Sequence, residues 1–173
     1  MNLIVTCPRN LEDETREEIT RILGVEGDDN PEVIMTKISG ILTVNTSVDT
    51  IDFIKKVRSS IIDEPWGIRY ISRIIPIQNV VDTKIDEIKK SIENISYKIN
   101  PDEKYMIQIE KRNSNISSQE IISSIAKIFT NKVSLEYPDK IVLIEILGSK
   151  TGISIIRKSD VLSIEKTKRD LWE

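Results

Sequence analysis

Histidine is absent from the 173 residues. That removes the commonest general base and the commonest transition-metal ligand together. Zinc would need several Cys or His, and the chain holds one cysteine, Cys7, so no metal centre is expected. No cluster of Asp and Glu points to a carboxylate-only magnesium site, and neither G-x-G-x-x-G nor a P-loop occurs. The residues therefore predict no catalytic group and no cofactor. Cys7 cannot close an internal disulfide, which fits a reducing cytoplasm. With no histidine to activate it, a buried inert thiol is expected rather than a nucleophile. No apolar run approaches the roughly 18 residues of a membrane span. The opening Met1–Thr6 lacks the charged start and long apolar core of a signal peptide, so a cytoplasmic protein is expected.

What is present is a globular composition, 39% hydrophobic and 31% charged. Isoleucine dominates the apolar set and Ala126 is the one alanine. β-Branched isoleucine favours strands without forbidding packed helices. The net charge of −3 argues at first against nucleic acid. Residues 1–32, however, hold nine Asp/Glu against three Arg, or −6, so the remainder carries +3. Nucleic-acid affinity follows local basic surface rather than total charge.

The hydrophobic pattern divides the chain into two units. In the first, Leu3–Thr6 reads as a buried strand, and Glu12–Gly24 as a helix on Thr15, Ile19, Ile22 and Leu23, with Gly24 as its stop. Val33–Ile38 and Ile41–Asn45 form a hairpin about Ser39-Gly40. Val48, Ile51, Ile54, Val57 and Ile61 mark a second helix, capped near Ser47 or Asp49. Ile68–Ile77 is a fourth extended segment that Pro76 limits to an edge or an end. The order β-α-β-β-α-β is the ferredoxin-like arrangement. In the second unit, Asp82 is expected to cap a helix with Ile85, Ile88, Ile92 and Ile95 on one face. Tyr105–Glu110 alternates as a strand, and Ser117–Glu120 is a capping box, S-x-x-E, that opens a helix reaching Phe129. Val133–Leu135, Ile141–Leu147 and Ile153–Arg157 complete the strands, with Gly148–Gly152 as a turn. The expected division is α+β, residues 1–79 and residues 80–173, packed together without a flexible linker near Gln78–Asp82.

Four stretches of the second unit carry a family likeness: Ile107–Asn113 (IQIEKRN), the helix Glu120–Phe129, Val133–Asp139 (VSLEYPD) and Ile141–Ile156 (IVLIEILGSKTGISII). In that order they resemble the THUMP domain, an RNA-binding module of tRNA-modifying proteins. The first unit then looks like the N-terminal ferredoxin-like domain that precedes THUMP. Two further stretches, Leu3–Glu18 and Glu64–Ile77, are similar to THUMP-only proteins that act as adaptors for tRNA cytidine acetylation. The resemblance implies a non-catalytic adaptor that holds the 3′ CCA end and acceptor stem of tRNA. The partner it implies is a separate RNA acetyltransferase that forms N4-acetylcytidine. The tract ends near Ile164 and the chain at Glu173, which leaves no expected room for a catalytic domain. Two alternatives stay open. One is the RNA-binding subunit of a split tRNA methyltransferase or thiouridylase; the other is a ferredoxin-like protein-interaction module with no RNA role.

The candidate RNA-binding residues follow from exposed positive charge. Lys111-Arg112-Asn113 closes a strand and enters a polar loop, where Lys and Arg meet phosphates or are simply solvated. The amides at the start of the following helix add a second anion-facing group. Arg69 and Arg73, four apart on one extended segment, share a face. They either extend a basic strip or pair with the acidic first helix. Lys150 sits in a glycine-flanked turn, and Arg157 and Lys158 end the last strand. Lys166, Lys168, Arg169 and Trp172 make a basic tail, which either stacks on RNA, docks a partner or frays. Trp66 is read as a packing anchor rather than a base-stacking platform.

Overall fold

The computed structural model describes all 173 residues, in two compact units: Met1–Pro76 with Ser159–Glu173, and Ile77–Lys158. No helix is long and apolar enough to cross a membrane.

The first unit runs β1 (Leu3–Thr6), α1 (Glu12–Val25), β2 (Glu32–Met35), β3 (Ile41–Asn45), α2 (Thr50–Asp63) and β4 (Arg73–Pro76). This is the β-α-β-β-α-β order expected from the hydrophobic periods. The strands pair antiparallel in the order β2-β3-β1-β4, and a further strand, β9 (Leu162–Ser163), joins the edge beside β4. Helix α5 (Ile164–Asp170) follows it. The expected division placed this C-terminal segment with the second unit. Leu162 opposite Ile74 instead returns it to the first, and the burial of Leu162 and Ile164 in that core fixes it there. Ile19 and Leu23 of α1 and Phe53, Ile54, Val57 and Ile61 of α2 meet Leu3, Val5, Leu42, Val44 and Ile74 of the sheet. Each such side chain contributes about 2 kcal/mol by leaving water.

Buried carboxylates replace strand pairing where the sequence is irregular. Ile68–Ile77 was expected to be extended throughout, but β4 begins only at Arg73. Before it, the carboxylate of Glu18 accepts from the amides of Arg69 (2.9 Å), Tyr70 (3.0 Å) and Ile71 (2.9 Å). A ladder partner is unnecessary there because one side chain satisfies three donors. Asp28 performs the same service between α1 and β2. It accepts from the Thr46 hydroxyl and from the amides of Ser47 and Asn30. Asp49, not Ser47, caps α2 by accepting from the Asp52 amide. Helix α1 runs one residue past the expected glycine stop, and the chain turns at Gly27 (φ +107°). Trp66 lies in a short 3-10 turn and is 68% exposed, so it is not the packing anchor expected.

The second unit runs β5 (Asn79–Asp82), α3 (Ile85–Ile95), β6 (Tyr105–Arg112), α4 (Ser118–Ala126), β7 (Lys140–Leu147) and β8 (Lys150–Ile156). Its sheet order is β5-β8-β7-β6, with β6 parallel to β7 and the other pairs antiparallel. Ile88, Ile92 and Ile95 of α3 and Ile121 and Ile125 of α4 pack on Val142, Ile144, Ile146, Ile153 and Ile155. Strand β7 is buried from Ile141 to Ile146, which is why it reads as an unbroken apolar run;. Asp82 does not cap α3. It ends β5 opposite Lys150, and Lys84 holds the N-cap position without a side-chain bond. Val133 makes one bridge to Tyr105 in place of the expected strand.

Two outcomes are expected. Glu18→Ala leaves three amides without their acceptor and lowers unfolding free energy by about 2–4 kcal/mol in urea titrations. The Thr46 hydroxyl, aided by the two amides, holds the Asp28 carboxyl below the usual carboxylate range. Its contribution is complete above the unfolded value of about 3.9 and is lost as pH falls through the lower folded value. Unfolding free energy followed through the acid range will show this loss, and Asp28→Asn will flatten it.

Candidate nucleic-acid interface

Two parallel strands, β6 and β7, end side by side at Arg112 and Leu147. The chain leaves β6 through Asn113, at φ +54°, and leaves β7 through Gly148, at φ +61°. Both residue types tolerate this left-handed region. The Gly148 amide donates to the Arg112 carbonyl (2.8 Å), which ties the two exits together. Leu147 and Lys150 face each other across a two-residue hairpin, so Lys150 is the first residue of β8 rather than part of a longer turn. Ser117 accepts from the Glu120 amide (3.2 Å) and caps α4, as the S-x-x-E spacing predicts.

Helix α3 begins three residues after Asp82, which pairs with Lys150. Helix α4 begins six residues after Arg112. Both helix N-termini therefore open at the rim where β6 and β7 end. Their free amides carry partial positive charge. The carboxyl ends of parallel strands are also where open α/β sheets take ligands.

The side chains at this rim differ in how committed they are. Arg112 donates to Glu145 (3.0 Å), a carboxylate 0% exposed in the middle of β7. Register explains the pair: Glu145 lies opposite Glu110, so Arg112 is one step further along the same face;. Lys111 points outward, and its ammonium caps the Ile116 carbonyl (3.0 Å) at the edge of the loop. Lys150 donates to Asp82 (2.6 Å), with both side chains more than half exposed. The hydrogen bond and charge of Lys150 hold the Asp82 carboxyl below its ordinary range. An exposed pair of this kind contributes little and exchanges readily for a phosphate.

Lys111, Arg112, Asn113 and Lys150 thus come together. Arg157 and Lys158 do not, because β8 separates Lys150 from Ile156 by about 20 Å of strand;. Arg69 and Arg73 belong to the first unit, and only Arg73 is in a strand. Arg69 lines a cleft of about 340 Å³ with Glu14, Glu17 and Glu18. With Glu18 held by backbone amides, Glu14 and Glu17 set acidic charge against a phosphate there, beside Arg21;. The acidic helix does reach this segment, but through the amides held by Glu18 rather than through an arginine ion pair. Lys84, at the N-cap of α3, was missed; its only signal was the short β5, hidden because Asp82 resembled a helix cap.

A THUMP domain is found at residues 82–156. It reaches from the last residue of β5 to the last of β8, and so contains the whole rim while leaving out Arg157 and Lys158. No curated protein sequence matches the chain. Among solved structures, PH1313 from Pyrococcus horikoshii Ot3 is similar at TM-score 0.65 and 17% identity, over 91% of this chain and 55% of that one. TrmN from Thermus thermophilus is similar at 0.56 and 13%, over 88% and 44%. A 4-thiouridine synthetase in complex with RNA and bound ATP is similar at 0.54 and 16%, over 91% and 41%. The chain spans about half the length of these proteins, and the likeness is one of fold.

Because Glu145 is buried, Arg112→Ala will cost roughly 3 kcal/mol of stability. Lys111→Ala, at an exposed position, will stay within about 0.5 kcal/mol of the parent. Chemical denaturation of the two variants checks the contrast.

Proposed function

We propose that this chain is a non-catalytic tRNA-binding adaptor that positions the 3′ CCA end and acceptor stem for a separate modification enzyme. The observation that carries the reading is the THUMP domain at residues 82–156. Within it, two strand exits and two helix starts converge beside Lys111 and Lys150. Phosphates meet Lys111, Lys150 and the α4 amides. Asn113 offers an amide to a base or ribose. Arg112 positions this loop through Glu145. Arg157 and Lys158 lie away from that rim, past the far end of β8, and Arg69 and Arg73 belong to the first unit.

The 4-thiouridine synthetase with bound RNA supports an RNA-directed role. The antiparallel β-α-β-β-α-β first unit supports a ferredoxin-like domain ahead of THUMP;. The likeness of Leu3–Glu18 and Glu64–Ile77 to acetylation adaptors favours an RNA cytidine acetyltransferase as the partner, in the cytoplasm. A second reading, the RNA-binding part of a methyltransferase or thiouridylase assembly, draws on the 4-thiouridine synthetase and on a structure of similar fold and 13% identity described as a methyltransferase complexed with SAH.

Binding of the purified chain to tRNA with and without its 3′ CCA, at two salt concentrations, tests the first reading. The expected result is preference for the intact end. For about four phosphate contacts, log K falls against log salt with a slope of about −3. Lys111→Glu weakens binding and flattens the slope. Equal or absent binding to both RNAs sinks the reading. Mass spectrometry of tRNA nucleosides after deletion of the protein separates the partners: loss of N4-acetylcytidine favours the acetyltransferase, and loss of a methyl or thio group favours the second reading.

A further inference from the structure

The opposite rim of the same sheet has a different character. There β6 begins at Tyr105, β7 begins at Lys140, and β8 ends at Ile156. The segment 131–139 is fastened to this rim. The Tyr105 amide donates to the Lys132 carbonyl (3.0 Å), and the Ser134 amide to the Tyr105 carbonyl (3.0 Å). Asn131 donates to the carbonyls of Asn100 (2.8 Å) and Glu103 (3.0 Å). Lys140 donates to the Lys98 carbonyl (2.9 Å), which brings the end of α3 to the same place.

This well-tied surface nevertheless turns large side chains to solvent. Tyr137 is 75% exposed, Tyr97 74% and Leu135 72%. Of the acids nearby, Glu103 is occupied by Lys140 and the Asn100 amide and Asp139 by the Lys104 amide, while Asp102 and Glu136 are exposed. Lys98, Lys104, Lys132 and Lys158 enter no ion pair. A lysine also follows each helix end here, Lys98 after α3 and Lys127 after α4, which offsets the negative helix termini;. Exposed aromatic faces among free cations suit bases and phosphates together, since every base has a π-face and every nucleotide a charge.

We propose that this rim is a second RNA contact, which takes unpaired nucleotides by stacking on Tyr97 and Tyr137 while Lys98, Lys104, Lys132 and Lys158 meet the phosphates. It rests on the RNA-binding reading and places a contact that the Lys111 rim does not supply. Unpaired RNA, rather than a duplex, is the ligand, because stacking needs bases free of their own stack.

The test is fluorescence anisotropy of the full chain with a short single-stranded oligoribonucleotide and with intact tRNA, at two salt concentrations. Tyr97→Ala with Tyr137→Ala should weaken the oligoribonucleotide about tenfold or more. The salt slope should not change, and neither should the thermal midpoint. Tyr137→Phe should bind as the parent does. Lys104→Glu with Lys132→Glu should flatten the slope by about 1.4. If the tyrosine variant binds both RNAs normally while Lys111→Glu weakens them, this proposal falls and the Lys111 rim stands. The same holds if the tyrosine variant loses only association with a protein partner. If the parent binds neither RNA at low salt, the RNA reading itself fails.

Discussion

The parallel pairing of β6 with β7 is the constraint on which the candidate interface depends. Parallel neighbours cannot be joined by a hairpin, so the chain must travel back along the sheet before β7 begins. Helix α4 makes that return, and it must therefore start where β6 stops. The positive end of a helix is thus delivered to the strand exit that carries Lys111 and Arg112. The β7–β8 hairpin adds Lys150 at the same height because Leu147 and Lys150 are register partners. Cationic side chains and free amides meet at one rim as a consequence of topology, not of a local motif.

That arrangement needs a rigid base, and the Arg112–Glu145 pair supplies it. A carboxylate in the middle of an otherwise apolar strand is costly unless matched. Arg112 matches it from the neighbouring strand and is thereby drawn partly out of solvent. Side by side in the sequence, Lys111 and Arg112 look equivalent as phosphate ligands. Strand alternation gives them opposite faces and separate work. One reaches solvent beside the loop, and the other holds the two strand ends in register.

Much of this was legible in the chain. The 3.6-residue spacing of Ile85, Ile88, Ile92 and Ile95 gave α3, and the unbroken run Ile141–Leu147 gave the central strand. Ser117 and Glu120 gave the cap of α4. What failed were segments whose structure comes from distant partners. β5 is four residues long and gains its identity from β8. The Ser159–Glu173 segment reads as a tail, and only its pairing with β4 and the fit of Leu162 in a core more than 80 residues upstream in sequence place it. Ile68–Ser72 alternates like a strand, yet the amides of Arg69, Tyr70 and Ile71 go to a glutamate some fifty residues earlier. Of the candidate site, residue type and exposure were readable. Which cations share a rim was not, because that depends on strand direction.

The acidic N-terminal region illustrates why net charge misleads here. Glu12 accepts from the Gly40 amide (2.8 Å), at a hairpin where φ is +76° and any Cβ would fall 2.5 Å from the Cys7 carbonyl. Glu18 and Asp28 each satisfy several donors in the same unit. These carboxylates stand in for missing ladder partners in a small sheet with irregular connections, and they belong to the fold rather than to a repulsive surface. The −6 of residues 1–32 is in part the signature of that internal use. A ligand meets only the charge left facing it. In the second unit that charge includes lysine at both ends of one sheet, free or weakly paired, while Glu103 and Asp139 beside it are engaged in hydrogen bonds of their own.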